Sequence, residues 1–171
     1  SKLIIERMLK DLAQSNNFKS VILRYFNAAG ASEDGLFGEN RKREGHLIPS
    51  AIKSALGINK DFKVFGLNHS TFDGSCIRDF VHVIDIAEAH ILALEKLKND
   101  FNHINLSQKN TKLVEQNCFA YNIGLGKGVS VLEIINKIED IVGECPYEVI
   151  ENKKEDPPIL IACSKKIKKE L

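Results

Sequence analysis

Three stretches of the chain carry the apolar pattern or the start signal of an amphipathic helix. Over residues 3–12 the large apolar residues fall at i, i+3, i+4 and i+7, which predicts a helix with one apolar face. A second helix is predicted over residues 85–97, with Ile91 and Leu94 on its apolar face. Residues 130–133 read Ser-Val-Leu-Glu, a capping box that predicts the start of a third helix.

Short runs of β-branched and aromatic residues lie between these helices and predict strands. The predicted strands are 20–26, 62–65, 77–83, 119–123 and 147–150. Pro49 suits the first turn of a short helix that ends at Gly57. Residues 98–117 are polar without clear periodicity and predict an exposed excursion. Helices that alternate with short strands are typical of an α/β architecture.

Composition and charge narrow the class of protein. The 171 residues include 24 basic and 23 acidic side chains, and the net charge of +1 argues against a nucleic-acid or membrane-surface partner. No apolar run approaches the ~20 residues that cross a bilayer, and the first residues lack the apolar core of a signal peptide. We therefore expect a globular cytoplasmic protein with neither nucleic acid nor membrane as a partner.

The residues that most often bind metal ions are scattered. Cys76, Cys118, Cys145 and Cys163 lie far apart without a C-x-x-C pair, which predicts four buried or half-buried free thiols. The histidines are equally dispersed, so no metal site is predicted. His82 alternates with two valines on a predicted strand and is expected in the core.

A glycine-rich turn stands where a dinucleotide fingerprint would be expected. Residues 124–128 read Gly-Leu-Gly-Lys-Gly between a predicted strand and a predicted helix. The fingerprint requires G-x-G-x-x-G, and Val129 occupies the third glycine position. We interpret these glycines as a sharp turn into the helix rather than as a cofactor site.

Five motifs in order carry a resemblance to a known family. They are Ser1-Lys2, Leu23–Asn27, His46–Pro49, Thr71–Val83 and Asp156-Pro157. Together they resemble UDP-glucose 4-epimerases, which are extended short-chain dehydrogenases of the NAD-dependent epimerase/dehydratase family. Ser1-Lys2 resembles the end of the Tyr-x-x-x-Lys motif of that family. The likeness runs along the whole chain, with residues 98–117 resembling an insertion.

The resemblance implies an α/β fold in two parts. Residues 1–30 would be the last elements of a Rossmann-like, doubly wound NAD-binding domain. Residues 31–171 would be the smaller mixed α/β C-terminal domain, which binds the UDP-sugar. The glycine-rich NAD loop and the catalytic tyrosine, four positions before Lys2, would lie upstream. The resemblance therefore implies a C-terminal portion, inactive alone, of a parent enzyme that would be a homodimer in its full-length form.

In the family, NAD takes a hydride from C4 of the hexose, a tyrosinate removes the hydroxyl proton, and the 4-keto sugar turns before the hydride returns. The resemblance implies that Lys2 is the catalytic lysine, which stabilises phenolate and contacts the nicotinamide ribose. Tyr25 and Phe26 are the residues implied for cofactor binding: one would pack inward and the other would face the nicotinamide end, and core packing alone explains either equally well. Lys2 could equally be a solvated lysine in the first helical turn.

On the substrate side, the resemblance implies eight residues: Asn27, His46, Leu47, Val64, Phe65, Arg78, Lys153 and Asp156. Arg78 would bind the diphosphate through its guanidinium fork, and Asp156 a ribose hydroxyl. Asn27 would contact the diphosphate or the hexose, or would be only a turn residue. An ion pair of Arg78 with Asp79 or Asp85 is the structural alternative. His46, Leu47, Val64 and Phe65 would form walls for uracil and ribose, or ordinary core.

The chain departs from the family pattern before Asp156. Family members usually carry arginines and a glycine there, whereas this chain has Lys153 and Glu155 at these places. Lysine meets a phosphate as a point charge without the planar fork. In the family, the size of the residue at the position of Leu160 bears on which hexoses are accepted. N-acetylated sugars therefore remain among the candidate substrates.

Three functions therefore remain open. The first is the C-terminal portion of a UDP-glucose 4-epimerase. The second is an epimerase or dehydratase for another nucleotide sugar. The third is a non-catalytic remnant that at most holds a UDP-sugar, with complementation by a separate polypeptide as a further possibility.

Overall fold

The computed structural model describes residues 1–15, 18–102, 117–152 and 156–171. The chain forms five helices within these residues. They are α1 Lys2–Ser15, α2 Leu47–Ala55, α3 Val83–Asn102, α4 Val131–Ile141 and α5 Lys165–Glu170. Among these helices, none combines the length and the apolar character needed to cross a membrane.

Nine short strands complete the described part of the chain. They are β1 Ser20–Tyr25, β2 Asn27–Ala29, β3 Lys63–Phe65, β4 Ile77–Arg78, β5 Phe80–His82, β6 Cys118–Ile123, β7 Val129–Ser130, β8 Glu148–Ile150 and β9 Ile159–Leu160. Three parallel pairs, β1–β6, β2–β5 and β3–β8, form separate two-stranded sheets. The fourth sheet has three strands and is mixed, with β4 between antiparallel β7 and parallel β9.

The chain divides into two compact units. Unit 1 comprises residues 1–25, 84–123 and 163–171, and unit 2 comprises residues 26–83 and 124–162. Both units are discontinuous in sequence, so their boundaries differ from the predicted boundary at residue 30. The predicted division says which part binds which ligand. The contacts within the chain do not test that assignment, and it stays a prediction.

Unit 1 is built on the parallel pair β1–β6, with Ser20 opposite Cys118 and Tyr25 opposite Ile123. Its buried apolar side chains are few and mostly small. They are Ala13, Ala89, Ala93, Tyr121 and Ile123. The Tyr121 hydroxyl donates to Glu170 on α5 over 2.8 Å, which joins the sheet to the last helix of this unit.

Unit 2 contains a core of larger side chains from α2, β3 and α4. Its buried members are Ala51, Phe62, Val64, Ile135, Ile138 and Cys145. The helix α4 begins with the predicted capping box, since the Ser130 hydroxyl accepts the amide hydrogen of Glu133 and the Glu133 carboxylate accepts that of Ser130. The predicted start of α4 is therefore confirmed, and Ile135 and Ile138 of this helix lie in the core.

Several predicted elements are confirmed and others need correction. The predicted strand 77–83 is two strands, β4 and β5, separated at the buried residue Asp79. Residues 98–102 belong to α3 rather than to an excursion, and 103–116 lie outside the described residues. The strand β9 and the helix α5 were not predicted, because the pattern of the lysine-rich tail is too short to reveal either.

Some predictions of burial are also wrong. His82 is exposed rather than in the core, although its ring lies against the backbone at Gly30. The apolar faces expected on α1 and α3 are largely exposed. The buried apolar residues of these helices are instead Ala13 on α1 and Ala89 and Ala93 on α3. All four cysteines are free, as predicted, but Cys163 is exposed.

Candidate functional site

Arg78 is bound to a segment that lies far from it in sequence. Its Nη1 donates to the carbonyl oxygens of Ile77 at 2.9 Å, Pro157 at 2.8 Å and Pro158 at 3.5 Å. The strands agree with this contact, because β4 pairs with β9 and places Arg78 opposite Leu160. The guanidinium is therefore held beside the residues that directly follow Asp156.

Among the described residues, all hydrogen bonds of the Arg78 side chain are donated by Nη1. Its Nη2 and Nε keep the remaining donors of the guanidinium, and the side chain is half-buried. The partners of Arg78 are backbone carbonyls, so the structure does not show the alternative ion pair with Asp79. A guanidinium oriented by carbonyls retains its full charge and can present its outer nitrogens to an anion.

Asp79 is fully buried and receives three backbone N–H groups. Its Oδ1 accepts from Leu125 at 2.9 Å, and its Oδ2 accepts from Gly126 at 2.9 Å and from Ala162 at 3.1 Å. Convergent amides of this kind form a site for an anion. Here the anion belongs to the chain itself.

The same contacts explain the glycine-rich turn at residues 124–128. Its amides point to the Asp79 carboxylate, where those of a dinucleotide fingerprint would meet a phosphate. A Cβ at Gly124 would lie 2.5 Å from the Ala162 side chain and 2.7 Å from Asp79 Oδ2. The glycine is therefore needed for a close internal approach, which supports the interpretation of a structural turn.

Asn27 begins β2 and is connected to Arg78 through the residue between the two short strands. Its amide donates to the Asp79 carbonyl over 3.0 Å, and the β2–β5 register places Asn27 opposite Phe80. The Asn27 side chain is half-buried. Asn27 and Arg78 therefore lie in different sheets, and the link between them that the structure shows runs through the backbone of Asp79, which follows Arg78.

Val64 and Phe65 lie on β3 and differ in exposure. Val64 is buried in the core of unit 2, and Phe65 is 39% exposed at the end of the strand. The partner strand β8 ends at Ile150, two residues before Asn152. Val64 is therefore a core residue, whereas Phe65 can contact a ligand.

A shallow groove of about 300 Å³ lies directly after Phe65. It is lined by Gly66, Leu67, Asn68, Val149, Ile150, Glu151 and Asn152. Asn152 donates from Nδ2 to Asn68 Oδ1, while its own Oδ1 is buried without a hydrogen-bond partner in the described structure. A Cβ at Gly66 would lie 1.0 Å from this oxygen, so the Asn152 side chain packs directly against the Gly66 backbone.

His46 caps α2 and takes part in an ion-pair network. Its Nδ1 lies 2.7 Å from Glu39 Oε1, and its imidazole is 54% exposed. Glu39 also binds Arg41, and this hydrogen bond, opposed by burial, holds the pKa of Glu39 below its usual range. Leu47 follows as the first residue of α2 and packs against the core of unit 2.

Glu39, Glu44 and His46 could together offer three ligand atoms within 4.8 Å of one another. Each of these residues already has protein partners. Glu44 accepts from the amides of Gly45 and His46 and binds Lys53 Nζ over 3.1 Å. The carboxylates of Glu39 and Glu44 are thus paired with Arg41 and Lys53 of the same chain.

Of the residues predicted on the cofactor side, Lys2 and Tyr25 belong to unit 1, and Phe26 is the first residue of unit 2. Lys2 is the first residue of α1 and is exposed. Tyr25 is the last residue of β1 and is 55% exposed, and Phe26 follows it half-buried. The carboxyl ends of parallel strands are where ligands bind in open α/β sheets, so the position of Tyr25 fits a cofactor edge. Among the described residues, no hydrogen bond connects Lys2 with Tyr25, either directly or through a third side chain.

The last two residues predicted on the substrate side are Lys153 and Asp156. Lys153 lies outside the described residues. Asp156 is exposed, directly before the two prolines whose carbonyls bind Arg78. Sequence reasoning missed those carbonyls and the groove after Phe65. The pair Pro157-Pro158 and Gly66, which has a φ of 74°, were the available signals for a fixed turn.

A profile of the family described as "NAD dependent epimerase/dehydratase family" matches residues 1–107. The chain belongs to this family.

Individual relatives refine the comparison. The chain is 39% identical over 163 residues to the UDP-glucose 4-epimerase of Rhizobium leguminosarum bv. trifolii, a match that covers 95% of this chain and 45% of that protein. It is 40% identical over 167 residues to the UDP-glucose 4-epimerase of Halalkalibacterium halodurans, covering 97% and 46%. The chain thus spans about half the length of the curated relatives it matches.

Solved structures agree. The UDP-glucose 4-epimerase of Brucella ovis in complex with NAD superposes with a TM-score of 0.85 at 38% identity, covering 99% of this chain and 48% of that one. The enzyme of Bifidobacterium longum in complex with NAD+ and UDP gives a TM-score of 0.80 at 35% identity, covering 99% and 47%. The predicted α/β fold and the resemblance to UDP-glucose 4-epimerases are confirmed.

Proposed function

We propose that this chain is the UDP-sugar-binding portion of an NAD-dependent UDP-glucose 4-epimerase, which interconverts UDP-glucose and UDP-galactose. The proposal rests most directly on the contact between Arg78 and Pro157. Pro157 directly follows Asp156, and the β4–β9 pairing places Leu160 opposite Arg78. Three residues that the resemblance assigned to one ligand, Arg78, Asp156 and Leu160, therefore lie on adjacent segments of unit 2.

The chemistry of these groups matches the parts of a nucleoside diphosphate sugar. The outer nitrogens of Arg78 can bind the diphosphate through two charge-assisted hydrogen bonds. Asp156 is an acceptor for a ribose hydroxyl, and its exposure leaves both oxygens accessible. Asn27, whose backbone amide donates to the carbonyl of Asp79 directly after Arg78, supplies a side-chain amide that both donates and accepts.

The groove after Phe65 supports a place for the base. Its volume of about 300 Å³ is at the lower end of small-molecule pockets. Phe65 offers an exposed aromatic face beside it, and His46 offers an imidazole whose Nδ1 is fixed by Glu39. We assign Val64 and Leu47 to the packing beneath these residues rather than to ligand contacts.

We assign Lys2, Tyr25 and Phe26 to the nicotinamide end of NAD. NAD, when bound, supplies a reversible hydride acceptor at C4 of the hexose. The glycine-rich turn at residues 124–128 does not fit the NAD pyrophosphate, because Asp79 already occupies its amides. The exposed ammonium of Lys2 and the exposed phenol of Tyr25 fit ribose and ring contacts, respectively.

Calorimetric titration of the chain with UDP and with uridine tests the proposal. We expect Arg78→Met to weaken UDP binding at least about tenfold, the value of one charge-assisted hydrogen bond, and to leave uridine binding unchanged. Arg7→Met is the matched control, because Arg7 is exposed on α1 and pairs only with Asp11 among the described residues. Equal UDP binding by wild-type and Arg78→Met would contradict the assignment, and no UDP binding by wild-type would favour the non-catalytic remnant.

We also propose that residues 1–171 alone do not turn over UDP-galactose. The resemblance places the catalytic tyrosine four positions before Lys2, and a lysine cannot replace the phenolate as the base that acts on the C4 hydroxyl. A coupled assay with added NAD and UDP-galactose measures this directly. Turnover above the background without protein would overturn this part of the proposal.

A broader range of sugars is the second candidate, and Leu160 favours it. Leu160 is 46% exposed opposite Arg78, and the resemblance implies that the size of the residue at this position bears on the range of hexoses. One similar structure is a UDP-Glc/GlcNAc 4-epimerase from Campylobacter jejuni, at a TM-score of 0.69 and 36% identity. Comparing the binding of UDP-glucose and UDP-N-acetylglucosamine distinguishes the two, since a preference of more than about tenfold for the former would exclude the broader range.

A further inference from the structure

The four cysteines differ in what their sulfur atoms contact. Cys145 is buried, its Sγ donates to the carbonyl of Ala51 over 3.3 Å, and burial raises the pKa of its thiol. The Cys118 sulfur accepts from the Ser20 hydroxyl over 3.2 Å. Cys163 is exposed. Within the described residues, none of these three sulfur atoms is hydrogen-bonded to a nitrogen base.

Cys76 is different, because an imidazole lies beside it. The distance from Cys76 Sγ to His69 Nε2 is 3.2 Å, and both side chains are half-buried. The carbonyl oxygen of Phe65 lies 3.4 Å from the same nitrogen. A nucleophile with a base within hydrogen-bond reach is the arrangement that activates thiols.

The turn between β3 and β4 fixes this pair. The His69 amide donates to the Gly74 carbonyl over 2.9 Å, and the Thr71 hydroxyl donates to the Ser75 carbonyl over 2.7 Å. Gly74 has a φ of 80°, and a Cβ there would lie 2.1 Å from the carbonyl oxygen of Leu67. The two side chains are therefore held close by the backbone of the turn.

The charged groups around the pair are already bound to other residues. Asp73 is the only charged residue of the turn 68–76, and its carboxylate accepts from Ser75 and Ser130. The start of α4 contributes the Val131 amide, which donates to the Cys76 carbonyl, and the Glu133 carboxylate there accepts from Ser130. Neither carboxylate is therefore a partner for His69.

We propose that His69 and Cys76 form a thiol–imidazole pair that makes Cys76 the site of this chain that reacts first with soft electrophiles, of which organic hydroperoxides are the oxidising class. This inference goes beyond the proposed binding of UDP-sugars and does not depend on it. The partial exposure of Cys76 gives small electrophiles access, and His69 Nε2 is placed to take the thiol proton.

The oxidation balances without any further reagent. The sulfur attacks the terminal oxygen of the hydroperoxide, so that an S–O bond forms as the O–O bond breaks. The sulfur is oxidised by two electrons, and the electron pair of the broken O–O bond leaves with the alkoxide oxygen. The thiol proton passes to His69 Nε2 and then to the leaving alkoxide, which gives an alcohol and a sulfenic acid at Cys76. While Nε2 holds that proton, the Phe65 carbonyl can accept it in a hydrogen bond.

Labelling of the full chain with iodoacetamide, followed by mass spectrometry of each cysteine peptide, tests the pair. At pH 7 we expect Cys76 to react about tenfold faster than the exposed Cys163. His69→Gln should slow the labelling of Cys76 about tenfold or more, as expected on removing a positioned base, and leave that of Cys163 unchanged. His90→Gln is the control, because His90 is an exposed imidazole whose Nδ1 contacts the Ile86 carbonyl.

Two further readouts keep the test decisive. Cumene hydroperoxide followed by dimedone should place the adduct on Cys76 in the wild-type chain. Labelling of the buried Cys145 reports whether His69→Gln unfolds the protein, in which case the wild-type pH–rate profile decides. Cys76 rates equal to those of Cys163, or identical pH profiles at both cysteines, would overturn the proposal.

Discussion

Helices α1 and α4 carry the same kind of apolar pattern and have opposite surroundings. On α4 in unit 2, Ile135 is 1% exposed and Ile138 is 8% exposed. On α1 in unit 1, Ile5 is 57% exposed and Met8 is 59% exposed. The apolar pattern determines that both segments are helical, but it does not determine whether another element covers the apolar face.

The two units differ in the same way. The buried side chains of unit 2 include Phe62, Val64 and two isoleucines, whereas those of unit 1 are mostly alanines. Unit 2 also has its own buried polar centre at Asp79. Because the hydrophobic contribution scales with buried apolar area, unit 2 carries most of the stability that the described residues can provide.

The largest expected effect comes from removing the polar centre of unit 2. Asp79→Ala leaves the amides of Leu125, Gly126 and Ala162 buried without an acceptor. Three orphaned donors should lower the free energy of unfolding by on the order of 4 kcal/mol. Denaturant unfolding followed by circular dichroism measures the loss. A loss below about 1 kcal/mol would mean that water satisfies these amides and that unit 2 lacks a buried polar centre.

The next effect compares the two helices directly. Ile135→Ala should cost about 3 kcal/mol, because it opens a cavity in the core of unit 2. Ile5→Ala should cost no more than about 0.5 kcal/mol, because its side chain is already exposed. Urea unfolding of both variants under identical conditions gives the comparison. Equal losses would show that α1 is covered in solution and would remove the contrast between the units.

A smaller effect is the pH dependence contributed by Asp73 in unit 2. Burial opposes ionisation, but hydrogen bonds from Ser130 and Ser75 outweigh it and hold the pKa of Asp73 below its usual value. The stabilisation is therefore present above about pH 4 and is lost as the pH falls through the lower folded-state pKa.

Asp73→Asn should remove about 1.5 kcal/mol at pH 7 and flatten the acid limb of the stability curve. The difference between the wild-type and variant unfolding free energies, measured from pH 7 down to pH 3, isolates this residue from the other carboxylates. A difference that stays constant over that range would contradict the assigned direction of the pKa shift.

The smallest expected effect on stability concerns the exposed face of α1. Ile4→Lys combined with Met8→Lys should change the free energy of unfolding by less than about 0.5 kcal/mol, since both side chains are exposed. The same change should reduce self-association, because exposed apolar patches of this kind favour contacts between molecules. Sedimentation velocity over a range of concentrations measures it, with Lys10→Glu as a control on the polar side of α1.

Local signals predicted most helices and strands of the chain. The capping box at Ser130 and the alternation of β3 are local features, and the structure agrees with both. The strand β9 was missed because two residues carry no period, and their pairing with β4 is decided by residues about eighty positions away. The break at Asp79 was missed for the same reason, since its amide partners come from distant segments.

The candidate site shows the same division. The types of residue at positions 78 and 156 indicated an anion and a hydroxyl ligand, and family resemblance connected them. The contact of Arg78 with Pro157 and Pro158 depends on the β4–β9 pairing, which no local pattern encodes. The pair formed by His69 and Cys76 was not predicted either, although only six residues separate them, because their approach depends on the turn at Gly74.

For this protein, the sequence by itself determined where α4 begins, which residues can carry charge or donate hydrogen bonds, and the family to which the chain belongs. Tertiary structure alone decided which apolar faces are covered and which amides receive the Asp79 carboxylate. The physical reason is range. Caps, turns and periodicity act over a few residues, whereas burial and buried hydrogen bonds require partners that only folding brings together.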